Sequence, residues 1–253
     1  MKLRRDDKSK RIIKFIVQHN KTIHNSKMIE IQNNIHEIYD ILIKNRLPRT
    51  CVGHLYKGMR CQIDKKYKLM LKYYLLAVDF NNDWAMNLLG YYYQYVEVNY
   101  DLMKKYYDMA INLNNKSAMN NLGVYCQNIE KNYQSMKKYY LMAINLNNSC
   151  AATNLGRYYK NVEKNYDLMK KYYLIAINLN EGSAMNNLGY YYQYVEKNYD
   201  PMIKYYLMAI HFDNRSAMIN LEHYFCVEIS NKYKFYNLLL MVLHKNKIIN
   251  KKI

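Results

Sequence analysis

A glutamate recurs in this sequence at Glu97, Glu130, Glu163 and Glu196, each 33 residues from the last. Carboxylates in register invite an acid–base reading, but general acid–base catalysis needs groups that converge on one reacting atom. A 33-residue step instead puts each acid on its own structural unit along one edge, so a turn or capping role is expected. His36-Glu37 resembles the start of a zinc-protease helix, yet Ile38-Tyr39-Asp40 follows and the second histidine is missing. The cysteines at 51, 61, 126, 150 and 226 form no Cys-x-x-Cys pair. Their odd number also argues against a disulfide framework. Free thiols, mostly buried, in a reducing compartment are expected. No Gly-rich phosphate loop or Gly-x-Ser-x-Gly stretch is present. The chain is therefore read as non-enzymatic, with no catalytic residue, metal ligand or cofactor.

The cations are the second candidate chemistry. The net charge is +18, but its distribution decides what it means. Residues 1–51 contribute +7, residues 52–84 +3 and residues 217–253 +4, while the four central 33-residue segments contribute 0, +2, +2 and 0. A nucleic-acid-binding array should carry its basic stripe along its length. Here the charge gathers in the flanks, so nucleic-acid or anionic-surface binding through the basic termini is the alternative function. Lys104-Lys105, Lys137-Lys138 and Lys170-Lys171 are expected on a solvated outer face.

The elements that position these residues come from an internal repeat. Ala85, Ala118, Ala151, Ala184 and Ala217 are 33 apart, as are Leu89, Leu122, Leu155, Leu188 and Leu221. Gly90, Gly123, Gly156 and Gly189 keep the step, with Glu222 in the last slot. Ala77, Ala110, Ala143, Ala176 and Ala209 form a second series, each preceded by a tyrosine pair such as Tyr139-Tyr140. Each unit reads as two helices, for example about 118–129 and 133–146, because Ala118, Leu122 and Tyr125 share one helical face, as do Met136, Tyr140, Ala143 and Ile144. Ser117, Ser183 and Ser216 are expected as N-caps. Asp200-Pro201 is expected to open a helix, with Pro201 at its first position. Asn114-Asn115 and Asn147-Asn148 suit left-handed C-caps. Only two prolines and seven glycines punctuate the chain, too few for a turn-rich β fold. Tyr107, Tyr140 and Tyr173 are expected in the core, and the units must stack because one helix pair cannot bury its own apolar face.

The pattern Ala-x-x-x-Leu-Gly-x-x-Tyr followed by Tyr-Tyr-x-x-Ala resembles the Sel-1-like repeat, a relative of the tetratricopeptide repeat. Ala184, Leu188, Gly189, Tyr192, Tyr205, Tyr206 and Ala209 carry it in one unit, and the resemblance covers about residues 52–225. The family's Gly-x-Gly-Val turn is replaced by the shorter Val195–Tyr199, and Met202 stands where alanine is usual. The resemblance implies an all-α, right-handed superhelical solenoid. Residues 1–51 would be a basic helical segment and cap, with an amphipathic helix at 27–45. Residues 52–216 would be the array, its first unit degenerate around Leu55 and Gly58. Residues 217–253 would be a terminal partial repeat, a covering helix at 233–243 and a basic tail. The bias toward Asn, Lys, Ile and Tyr is similar to that of such proteins in large AT-rich DNA viruses, which implies a viral protein in the host cytoplasm.

The resemblance also implies that first helices line a concave side and that the chain is a protein–protein interaction scaffold for a peptide or protein partner. Its exposed positions would be Asn87, Tyr91, Gln94 and Tyr95, then Asn120, Val124, Gln127 and Asn128. Thr153, Arg157, Lys160 and Asn161 follow, then Asn186, Tyr190, Gln193 and Tyr194. No signal peptide and no integral membrane segment are expected, since no apolar run is long enough to span a bilayer. The compartment is expected to be cytoplasmic.

Overall fold

The computed structural model describes residues 51–225. Among them are eleven α-helices and no strand. The expected helices at 27–45 and 233–243 and the basic tail lie outside the described residues. By contacts the chain divides into two units, residues 1–89 and 90–253.

In the first unit, α1 (Cys51–Ile63) and α2 (Tyr67–Val78) form a helix pair, followed by the start of α3 (Asp83–Tyr95). The repeat consensus is degenerate here, but the packing is complete. Tyr74 is fully buried, and a Cβ on Gly58 would lie 2.4 Å from its ring. The Tyr74 hydroxyl donates to Gln62 Oε1 at 2.6 Å.

The second unit is an all-α stack of helix pairs. After the end of α3 come α4 (Tyr100–Asn112), α5 (Lys116–Tyr125), α6 (Tyr133–Asn145), α7 (Ser149–Tyr158), α8 (Tyr166–Asn178), α9 (Gly182–Tyr191), α10 (Tyr199–His211) and α11 (Arg215–His223). In three of its first helices the final turn widens into a π turn, at Cys126–Glu130, Tyr159–Glu163 and Tyr192–Glu196. The expected α-helix through Ile129 therefore stops at Tyr125. A π turn accommodates one extra residue. The glycine-to-tyrosine separation fits this: 16 residues from Gly58 to Tyr74, but 17 from Gly123 to Tyr140.

The glycines and tyrosines explain each other. A Cβ on Gly90, Gly123, Gly156 or Gly189 would lie 2.4–2.7 Å from the ring of Tyr107, Tyr140, Tyr173 or Tyr206. Each of those rings is 0–1% exposed, as expected for the core. Met70, Met103, Met136, Met169 and Met202 are also fully buried, so the thioether fills space that a smaller residue would leave empty. Glu222 breaks the glycine series at the unit whose tyrosine position holds Leu239.

Asparagine punctuates the array more thoroughly than expected. Asn114 and Asn147 take left-handed backbone conformations, as the Asn-Asn pairs suggested, and so do Asn81, Asn180 and Asp213. In most units the residue after the left-handed one is an asparagine that caps the next helix. Asn115 Oδ1 accepts from Ala118 N, Asn148 from Ala151 N and Asn214 from Ala217 N. This corrects the assignment of Ser117 and Ser216, which are the second residues of their helices; at Ser183, Glu181 is the capping residue. Asn99, Asn132 and Asn165 cap the second helices through the backbone N–H three residues on. Asn198 caps without that bond, because Pro201 stands where the donor would be. Pro201 is thus the third helical residue, not the first, where its missing N–H has no intrahelical partner to lose.

The inter-helix turns reverse through a left-handed residue too: Val98, Lys131, Lys164 and Lys197, with φ between 51° and 55°. A β-branched residue is strained there. Val98→Gly is expected to stabilise the chain by roughly 1 kcal/mol net of glycine's entropy cost, raising the urea midpoint. An unchanged or lower midpoint would contradict the strain argument.

Candidate functional site

Three of the four recurring glutamates close joints between repeats; Glu97 has Leu71 where the others have a lysine. Lys104 Nζ lies 2.6 Å from Glu130 Oε1 of the following unit, and Lys137 and Lys170 pair with Glu163 and Glu196 in the same way. The ammonium groups also lie over the Tyr125, Tyr158 and Tyr191 rings at 5.1–5.4 Å. Those rings meet Tyr100, Tyr133 and Tyr166 of the preceding second helix at 5.1–5.2 Å. The expected solvated lysine face is therefore half right. Lys105, Lys138 and Lys171 are exposed, but Lys104, Lys137 and Lys170 are inter-repeat clamps. The hydrogen bond from lysine holds each carboxyl below its ordinary value and each ammonium above its own.

A lowered carboxyl stabilises above its ordinary value near 4.5 and loses that contribution as pH falls through the folded value. The raised lysine contributes below 10.5 and stops contributing as pH rises through its folded value. The side chains are about one-third exposed, so solvent screens the pair. Lys137→Met is expected to cost about 0.2–1 kcal/mol near neutral pH, shrinking below about pH 4. A loss that persisted undiminished at acid pH would show that packing, not charge, is responsible.

An open polar depression of about 620 Å³ lies along this edge, lined in part by Glu163, Asp167, Lys170 and Glu196. Glu163 and Glu196 there are already engaged by lysine. Among the described residues no group of three or more His, Cys, Asp or Glu could hold a metal. The thiols at 51, 61, 126 and 150 are free. Burial, then Glu130, pushes the Cys126 thiol up to about 12, which keeps it unreactive. Cys150 is exposed and Cys51 half-buried, so fewer thiols are buried than expected.

The first-helix face divides into frame and surface. Asn87, Gln94 and Gln193, expected to be exposed, are buried, as is Thr153. The glutamines are acceptors for the core: the Tyr107 hydroxyl donates to Gln94, Tyr140 to Gln127 and Tyr206 to Gln193, at 2.7–2.9 Å. Asn120 and Asn186 are half-buried acceptors for Asn154 and Asn220 of the next unit, both at 3.0 Å. These residues hold the array together, and their side chains are not available as first contacts for a partner.

The surface that remains has a definite order. Tyr91 and Tyr95 are exposed and their rings stand 4.6 Å apart. The next unit shows Val124 and Asn128, the following one Arg157, Lys160 and Asn161. Tyr190 and Tyr194 complete it, exposed and 4.4 Å apart. Arg157 donates to Asn154 at 2.8 Å, and Lys160 lies 4.6 Å over the Tyr190 ring.

Solved structures with the same architecture are known. A Sel1 repeat protein from Oxalobacter formigenes superposes with a TM-score of 0.66 at 18% identity, covering 90% of this chain and 99% of that one. A protective antigen of uropathogenic Escherichia coli with a Sel-1-like repeat fold gives 0.57 at 18% identity, over 80% of this chain and 47% of that one. An immunity protein from Pseudomonas aeruginosa gives 0.52 at 21% identity, over 72% and 74%. No family model matches the sequence, and no curated protein matches it. The fold is that of the Sel1 repeat proteins, all-α and built from stacked helix pairs.

Proposed function

We propose that this chain is a non-enzymatic protein-interaction scaffold whose first-helix face receives a peptide or protein partner. A shared fold does not carry a shared role, so the reading rests on the surface. The observation that carries it is the contrast between two sets of tyrosines. The frame tyrosines are buried and bonded, while Tyr91, Tyr95, Tyr190 and Tyr194 are 41–54% exposed in two close pairs. Aromatic pairs of this kind supply contact area with few rotatable bonds. The free thiols support a reducing compartment, and we assign the cytoplasm. No described helix is long and apolar enough to cross a membrane. The biased composition supports an AT-rich genome and is the sole ground for a viral source. Nucleic-acid binding would rest on the basic flanks, most of which lie outside the described residues; within the array Lys104, Lys137 and Lys170 are tied to carboxylates.

A photo-cross-linking residue placed at Tyr91, Tyr95, Tyr190 or Tyr194 is expected to trap the same protein from the native host at all four positions. A cross-linker at Leu141, exposed on a second helix, should not trap it. Capture from Leu141 and from none of the tyrosines would move the partner to the second-helix side.

A further inference from the structure

One repeat departs from its sisters at two positions on this face. Where three units place Gln94, Gln127 and Gln193 beneath a tyrosine hydroxyl, the third places Lys160. Tyr173 has no glutamine in that slot; burial raises its pKa to about 12, with the nearby Arg157 charge and then Asn187 opposing the rise. Where the flanking units carry Tyr91, Val124 and Tyr190, the same unit carries Arg157. The third unit thus gives up the glutamine hydrogen bond and gains two cations three residues apart, one in the last turn of the first helix and one in the π turn after it.

These cations are positioned and unneutralised. Arg157 is held by Asn154, itself bonded to Asn120 of the preceding unit. Lys160 rests over Tyr190 and is half-buried; burial and then Lys164 lower its pKa. Among the described residues no carboxylate pairs with either, although the lysines of the second helices find glutamates. A half-buried ammonium without a counter-ion is costly, and an incoming anion would relieve that cost. A second observation lies in the π turn that carries Tyr194. Gln193 is 4% exposed, its Oε1 accepts from Tyr206, and its Nε2 has no partner. One buried donor without a partner thus joins two cations that no described carboxylate pairs, with exposed aromatic rings in the same repeats.

We infer that the first-helix face takes an acidic segment of a protein partner, with carboxylates on Arg157 and Lys160 and its neighbouring side chains against Tyr190 and Tyr194. This rests on the scaffold reading above and adds the partner's chemistry to it. It also explains the lysine: Lys160→Gln should restore the tyrosine bond of the sister units and make the fold more stable while removing the anion site.

The test uses the full chain with hexaglutamate, hexaglutamine and oligo-dT as probes and reads lysine acetylation site by site. Hexaglutamate is expected to protect Lys160 at least about fivefold over hexaglutamine, and Arg157→Val, the residue type of a sister unit, should remove most of that protection. Lys160→Gln should raise the denaturant midpoint and weaken hexaglutamate binding, read by anisotropy at physiological salt, about tenfold or more. Protection confined to lysines of residues 1–51 and 217–253 would overturn the inference, because the flanks alone would then bind the acid. Protection of Lys160 by oligo-dT as strong as by hexaglutamate would also overturn it, in favour of a nucleic-acid surface. The scaffold reading fails separately: Lys160 protected while no tyrosine cross-links a protein leaves the acid site standing without that partner. Tyrosine cross-links with Lys160 unprotected leave the scaffold standing without the acidic segment.

Discussion

Replacing Tyr140 by alanine is expected to cost about 3–5 kcal/mol, the range for deleting a fully buried aromatic ring. The ring is fully enclosed, and its hydroxyl donates to Gln127 at 2.9 Å. Tyr140→Phe keeps the ring and should cost about 0.5–1.5 kcal/mol, the net worth of the hydrogen bond. The informative comparison is with Gly123. A Cβ there would stand 2.7 Å from the tyrosine ring, and the bond to Gln127 prevents the ring from backing away. Gly123→Ala should therefore cost about 1–3 kcal/mol in the native background. In the Tyr140→Ala background the same change meets an empty space and should cost little or nothing. Denaturant unfolding followed by circular dichroism gives all four stabilities, and a coupling of about 1 kcal/mol or more is expected. Simple additivity would mean that the glycine is present for a reason other than the ring above it.

This pairing marks how far the sequence could be read. Two interlocked series at one period required helix pairs in a stacked array, and the all-α architecture follows from them. Glycine read alone suggested only close approach of helices. Its partner was visible as a tyrosine 17 residues on, and the two series end together at Glu222 and Leu239. The lysine–glutamate clamp was missed for a related reason: its members are 26 residues apart in different units, so a search within one helix face sees an exposed cation and a turn acid. Ser117 looked like the cap because serine is a common one, but Asn115 also serves, and the left-handed Asn114 before it fixes where the helix begins.

The face itself was legible as a set of positions but not as a division of labour. Counting from the glycine selected Gln94, Gln127 and Gln193 together with Tyr95 and Tyr194, since neighbouring residues at the end of a first helix look equally polar. Side-chain packing decides between them, whether the helix end is α, as at Gln94, or widens into a π turn, as at Gln193. The glutamine lies inward beneath the tyrosine hydroxyl and the next residue stays outside, a distinction that the polarity of the two residues does not contain. A tyrosine 13 residues after each glutamine was the available signal, and Lys160 stands in the same slot as the exception.

The second large effect is expected on partner capture. The array does not require tyrosine at 91, 95, 190 and 194: the equivalent positions hold Val124 and Asn128 in one unit and Arg157 and Asn161 in another. Their joint replacement by alanine should leave helicity unchanged and move stability by less than about 1 kcal/mol, as for surface substitutions. Aromatic residues that anchor an interface are each worth about 2 kcal/mol or more on truncation, and such losses are not additive. The fourfold variant should therefore weaken capture of the cross-linked partner by at least about a hundredfold. Leu141→Ala with Leu174→Ala, similarly exposed on second helices, is the matched control and should retain capture. The cationic unit lies between the two tyrosine pairs, so restoring one pair should recover part of the affinity, and Tyr190 with Tyr194 more than Tyr91 with Tyr95, because Lys160 rests on Tyr190. Undiminished capture by the fourfold variant, with capture lost in the leucine control, would place the partner on the second helices and leave the exposed tyrosines without a role in binding.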